Sequence, residues 1–267
     1  MVLTRFIYPL PASWFLTAMT VISGAASVIA GLMEIKGKSM QYSKFFNTNN
    51  KNVEASNTKV IKFSGRNGMI LAYAPAFVAS AASVAFMQDK GLRFTLVTSA
   101  LAFHFFKRLF EVIFIHKYSG SMPIDTAIFI SAGYFLSSLS LIYSQHLCGE
   151  FAEPIVDLKY AGLTIFLVGV VGNFYHHYLL SKLRKEGEKQ YKIPRGGLFH
   201  LVICPHYLFE ILGFVGISCI SQTVYGLSFA AGTICYLTGR SFATRKWYLS
   251  KFEDFPNDVK ALIPYIF

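Results

Sequence analysis

The chain has 267 residues, of which 54% are hydrophobic and 16% aromatic, and its Lys and Arg outnumber Asp and Glu to give a net charge of +11. With only 15% charged residues, it departs from the composition of a water-soluble domain, and it holds no soluble basic segment of the kind that binds nucleic acid. Its cysteines, Cys148, Cys204, Cys219 and Cys235, have neither metal-ligand nor disulfide spacing and read as small buried residues.

Apolar runs occur at 12–34, 68–87, 94–115, 122–144, 161–181, 199–221 and 224–239. Each is near the ~20 residues that cross a hydrocarbon core, the last being short. The expected fold is therefore all-α, an integral membrane bundle of seven transmembrane helices. The first run follows a Pro-containing segment and lacks a basic start and a small-residue cleavage site, so it reads as a retained helix rather than a signal peptide. The one long polar connection, 35–67, is rich in Lys, Asn, Ser and Thr and reads as a loop. No internal repeat is visible, which predicts a single membrane domain over 1–267.

Charge placement gives an orientation. If the spans alternate, one side holds 21 Lys and Arg and the other only Arg5, Lys90, Arg93 and Lys159. The positive-inside rule then places the N-terminus in the lumen and the C-terminus in the cytosol. The positive charge is accounted for by an anionic membrane leaflet, with membrane lipids as partners and no nucleic acid.

The last third mixes ionisable groups into apolar sequence. A charge at lipid depth costs about 2.5–3.5 kcal/mol, so such groups persist with partners. Asn173 and His177 are four residues apart on the fifth run, as are His206 and Glu210 on the sixth, so each pair shares a helical face. Between them lie Lys182, Arg184, Lys185, Lys189, Lys192 and Arg195, then Gly196 and Gly197. Basic side chains beside a backbone without Cβ atoms suit the phosphates of a dinucleotide; they equally suit anionic lipid. His104, Lys107 and Arg108 read either as interface anchors or as part of a site. His116, His146 and His200 read as solvated or capping groups. His176 and His177 are adjacent and point to different sides of a helix, so no metal site is expected.

Several strings carry a family resemblance: Asn173, LRK at 183–185, YKIPRGGLF at 191–199, Cys204-Pro205-x-Tyr207-x-x-Glu210, Arg240, KWYL at 246–249, KFEDFP at 251–256 and KALIPYIF at the end. In this order and spacing they resemble the steroid 5α-reductase family, which includes very-long-chain enoyl-thioester and polyprenol reductases. In the first half the resemblance rests on Gly37-Lys38, Pro75 and HFFKR at 104–108.

The resemblance implies NADPH-dependent reduction of a carbon–carbon double bond conjugated to a carbonyl in a hydrophobic lipid. It implies dinucleotide contacts at Asn173, Arg184, Glu210, Arg240 and Tyr248, and at His177 and His206, where the family usually has Asp and Asn. The carboxylic acid and tyrosine that clasp the ketone in the steroid branch fall on Tyr73 and Phe105, the expected substrate contacts; Phe105 donates no hydrogen bond. Tyr73 and Tyr248 are the expected catalytic groups. A Δ4-3-oxosteroid is the favoured substrate, with a 2-enoyl thioester or polyprenoid as alternatives. A non-catalytic lipid-binding protein that retains the cofactor bundle, and methyl transfer to a lipidated cysteine, are the readings outside this class. Residues 1–150 would be mainly substrate-side and 151–267 mainly NADPH-binding, in a monomer spanning the endoplasmic-reticulum membrane several times.

Overall fold

A computed structural model describes residues 5–38, 40, 45, 61–118, 120–184, 188 and 190–267. Most of the 35–67 connection, and Lys185 and Lys189 of the basic loop, lie outside the described residues. Seven α-helices are present among those described: α1 Trp14–Ile35, α2 Gly65–Phe86, α3 Leu92–Phe110, α4 Ile124–Cys148, α5 Lys159–Lys182, α6 Pro205–Ser221 and α7 Val224–Lys251.

Four of them, α1, α2, α4 and α5, are long and apolar enough to cross a membrane, and α6 is a shorter apolar helix. Large apolar side chains face outward along these helices, among them Val21, Ile22, Val78, Phe129 and Val171. That is the inverse of a water-soluble surface and fits a multi-pass membrane protein.

Local chemistry explains several boundaries. Ser64 and Thr223 cap α2 and α7, accepting from Asn67 N and Gly226 N at 3.2 and 3.1 Å. Pro205 opens α6, where its missing N–H leaves no helical bond unmade. The sixth apolar run was expected to be helical from 199, but 197–200 is a single tight turn and the helix starts only at Pro205. The seventh was expected to end at 239, yet α7 continues for three more turns to Lys251; Arg245, Lys246 and Lys251 are good helix formers that hydropathy does not register. The all-α expectation also needs one amendment: β1 Lys62–Ser64 pairs antiparallel with β2 Ser121–Pro123, Phe63 opposite Met122.

Helix α5 packs chiefly on α6, and α1 on α7, in both cases through glycine. A Cβ on Gly169 would lie 2.4 Å from Gly213 N, and one on Gly239 would lie 2.2 Å from Gly31 O. Small residues let helix backbones touch, which is how helices associate where lipid removes the hydrophobic drive. The main apolar core, including Phe94, Leu101, Phe105, Phe166, Phe214 and Ile217, fills the space among α2 to α7.

The two ends of the bundle are tied differently. At the end where α3 begins, Arg93 donates to Ile220 O at 2.6 Å and to Gln222 Oε1 at 2.8 Å, and pairs with Glu153 and Asp157. Beside them, burial pushes the Tyr8 phenol up to about 12. At the other end the terminal segment clips onto residues 201–204, with Ile203 N donating to Lys260 O at 2.9 Å and Lys260 N to Leu201 O at 2.9 Å.

Candidate functional site

A chain of polar side chains runs through the middle of this bundle. It begins on α3, where Lys107 and Arg108 precede Glu111 by four and three residues and so share its helical face. All three are buried, Glu111 with 0% exposure. Lys107 Nζ lies 3.1 Å from Glu111 Oε1, and Arg108 Nη1 lies 2.7 Å from Oε2. The carboxylate is therefore held from both sides by cations, the arrangement that makes a buried charge tolerable. Residues 111–115 form a π-turn, a local widening frequent at functional sites.

The chain extends in two directions. Toward α2, Arg108 Nη2 donates to the Tyr73 hydroxyl at 2.6 Å, with the guanidinium 4.9 Å from the centre of the Tyr73 ring. Toward α5, Lys107 donates to Asn173 Oδ1, and His177 Nδ1 lies 3.0 Å from Arg108 Nη1 and 3.1 Å from Glu111 Oε1. Asn173 Nδ2 donates to His206 O at 2.6 Å and faces Glu210 Oε2 at 3.5 Å. So short a side chain reaches α6 because the glycine seam holds the two helices close. His177 and His206 lie 5.3 Å apart, ring to ring.

Asn173, His177, His206, Glu210 and Tyr73 are thus brought into one connected network. Phe105 sits at its apolar edge, 6.4 Å from the Tyr73 ring, with Tyr134 5.4 Å from both. Lys107 and Arg108 are core members of the network rather than interface anchors, and Glu111 is a member the sequence reading missed. The available signal was the spacing Lys-Arg-x-x-Glu inside an apolar run, where an acid can answer two bases only on a helix.

The other expected residues lie in separate contacts. Arg240 is almost fully buried and its Nη1 donates to both Glu34 oxygens, at 2.8 and 2.9 Å, while Phe45 lies 4.1 Å from its guanidinium carbon. Tyr248 belongs to a second apolar cluster with Ile203, Cys204, Phe255 and Val259, its hydroxyl 3.5 Å from Lys192 O. Arg184 stacks on Tyr191, 4.8 Å to the ring centre, and Tyr191 packs on Trp247. The basic loop and Tyr248 are hence neighbours through Tyr191 and Trp247.

Glu111, His116 and His177 have metal-ligand chemistry and their ligating atoms lie within 4.8 Å of one another. Glu111 is already matched by Lys107 and Arg108, and a divalent ion among those cations would meet repulsion. Burial, followed by the charges on His177 and Arg108, holds the His116 imidazole well below its usual range.

Chemically, the network offers a phenol backed by a cation, a histidine between a guanidinium and a carboxylate, and an amide beside a carboxylate. Asn173 and Glu210 together carry donors and acceptors of the kind that hold a carboxamide, once Lys107 and His206 O release the Asn173 amide, and Gly196 leaves backbone without a side chain on the basic side. These donors fit a nicotinamide dinucleotide; Arg240 fits one only if Glu34 lets go of it.

Comparison with known proteins places this chain in a family. The sequence pattern of the family described as 3-oxo-5-alpha-steroid 4-dehydrogenase matches residues 120–267. The chain is similar to 3-oxo-5-alpha-steroid 4-dehydrogenase 2 of Rattus norvegicus, 29% identical over 255 residues, 92% of this chain and 96% of that protein. It is 31% identical to the Sus scrofa protein of that name over 223 residues, 81% and 87% of the two chains. It is also 33% identical to a very-long-chain enoyl-CoA reductase of Dictyostelium discoideum over 167 residues, 61% and 55% of the two. A pattern matching more than half of the chain, with a relative of this identity aligned over most of its length, means that the chain belongs to the 3-oxo-5-alpha-steroid 4-dehydrogenase family.

Proposed function

We propose that this protein is a membrane reductase that uses NADPH to saturate a carbon–carbon double bond conjugated to a carbonyl, with a Δ4-3-oxosteroid as substrate. Family membership supports the reaction class. The observation that carries the reading is the buried network from Tyr73 through Arg108, Glu111 and Lys107 to Asn173 and Glu210. So many ionisable groups inside an apolar bundle, even paired with one another, mark a functional site.

When bound, the nicotinamide supplies the hydride that adds to the β-carbon. The residues then have separate tasks. Asn173, His177, His206 and Glu210 hold the dinucleotide's polar edge, while Arg184 and the Gly196–Gly197 loop meet its phosphates. Tyr73, oriented by Arg108, donates its hydroxyl hydrogen to the carbonyl oxygen as negative charge develops there. Tyr248 is the second candidate donor, and Arg240 a phosphate contact on release of Glu34. Residues 1–150 serve mainly the lipid and 151–267 mainly the cofactor. We extend the topology to seven spans with a lumenal N-terminus and a cytosolic C-terminus, in the endoplasmic-reticulum membrane.

A second substrate class, a 2-enoyl thioester, has two observations behind it: Phe105 removes a donor that the steroid branch uses, and a relative at 33% identity is a very-long-chain enoyl-CoA reductase. The test is purified protein in detergent with NADPH, offered a Δ4-3-oxosteroid, a 2-enoyl thioester and a polyprenol in parallel. Oxidation of NADPH with the steroid supports the reading, oxidation with the thioester alone moves it to the second class, and oxidation with none overturns it.

A further inference from the structure

His176 is absent from the network above, although it is 3% exposed and adjacent in sequence to His177. Its ring points the other way, onto the Gly196–Gly197 loop. Nδ1 lies 2.7 Å from Gly172 O. A carbonyl can only accept, so Nδ1 carries the hydrogen. Leu198 N lies 3.1 Å from Nε2. A backbone N–H can only donate, so Nε2 carries a lone pair. The two contacts together fix one neutral tautomer.

The surroundings are built for this ring. Phe209 stacks on it at 5.2 Å and 17°, and Phe199 meets it edge-on at 5.6 Å. Phe209 fits beneath because residue 172 is glycine: a Cβ there would lie 2.2 Å from the Phe209 ring. Gly196 and Gly197 have φ of 85° and 51°, and a Cβ on Gly197 would lie 2.7 Å from His176 Nε2. The loop backbone therefore takes left-handed turns that suit glycine and settles directly on the imidazole.

We propose that His176 is a positioning residue: its neutral imidazole latches the Gly196–Gly197 loop to α5 and so holds that loop in its dinucleotide-binding shape. The proposal rests on the cofactor reading for what the loop binds, but the latch itself is independent of it. A protonated ring would turn an N–H toward the Leu198 N–H, and the latch would open. Among the described residues, few titratable groups surround the ring. Tyr175 precedes it on α5, with ring centres 5.1 Å apart. From the loop, His200 Nδ1 donates to Gly197 O at 2.8 Å. Helix α6 presents the Phe209 ring, with His206 one turn away.

Two variants test this in detergent, each read by NADPH binding and by hydrogen exchange at the Leu198 amide. His176→Ala loses the acceptor, and NADPH binding should weaken about five- to tenfold while Leu198 exchange speeds up. His176→Gln keeps an acceptor oxygen that does not titrate, and should bind within about twofold of the unsubstituted protein at neutral pH. Below about pH 6 the unsubstituted protein should lose Leu198 protection, while His176→Gln keeps it. The latch is overturned if His176→Ala leaves Leu198 exchange unchanged, or if His176→Gln loses protection in acid in step with the unsubstituted protein. A protein that binds no NADPH at any pH sinks the cofactor reading instead, and Leu198 exchange alone then decides the latch.

Discussion

At the residue scale, the substrate question turns on Tyr73 and Phe105, which lie side by side with only one hydrogen-bond donor between them. Arg108 compensates by its position. Its Nη2 donates to the Tyr73 oxygen, which fixes the hydroxyl and draws electron density from it, making the phenol a better donor. Replacing Tyr73 by Phe should lower kcat by at least about 100-fold, the lower range for loss of a positioned proton donor, and leave NADPH affinity within about twofold. Steady-state kinetics with direct cofactor binding checks this; an unchanged kcat would pass the role to Tyr248. Sequence pattern revealed Asn173, His177, His206 and Glu210 as pairs on helical faces. Glu111 was signalled only by its spacing from Lys107 and Arg108, and an acid near the end of an apolar run looks like an interface group until the helix turns it onto them.

At the element scale, the decisive feature is the α5–α6 seam. Two helices whose backbones meet at Gly169 and Gly213 carry Asn173 one turn and His206 two turns further along, within reach of each other. Gly169→Val should force the helices apart, destabilise the protein by about 1–3 kcal/mol and weaken NADPH binding by lengthening the Asn173 contacts. Thermal unfolding in detergent and cofactor titration measure the two effects; wild-type values for both would mean that the seam does not position the site. The helices themselves were legible from hydropathy, since apolar runs of membrane length have few other outcomes. What escaped was the start of α6 and the length of α7. A hydropathy window cannot see that Gly196 and Gly197 break the chain into a turn, nor that a polar sequence after Gly239 goes on as helix.

At the scale of the whole molecule, the polar network lies inside the bundle, while the bundle's end where α3 begins is tied by Arg93, Glu153 and Asp157. The hydrogen bond from Arg93 holds the Glu153 carboxyl below its ordinary value. A depressed carboxylate adds stability that is present above the unfolded pKa and lost as pH falls through the folded one. Glu153 is about half exposed, so solvent screens the pair and its contribution is at most about 1 kcal/mol. Below about pH 4 the thermal midpoint of the protein should therefore fall more steeply than that of Glu153→Gln. Parallel slopes would show that this tie adds nothing. The surplus of Lys and Arg was readable at this scale, because charge counts add along the chain. The partner of Arg240 was not: Glu34 is 206 residues away, and only the α1–α7 contact brings them together.

The central claim is hydride transfer from NADPH to the β-carbon of an enone, and it is tested most directly with NADPH deuterated at the transferring position of the nicotinamide. Incubated with the purified protein and a Δ4-3-oxosteroid, it should yield a saturated ketone carrying one deuterium at the former β-carbon, with one NADPH oxidised per ketone formed. A steroid recovered unchanged, or reduced without deuterium at that carbon, would contradict the account.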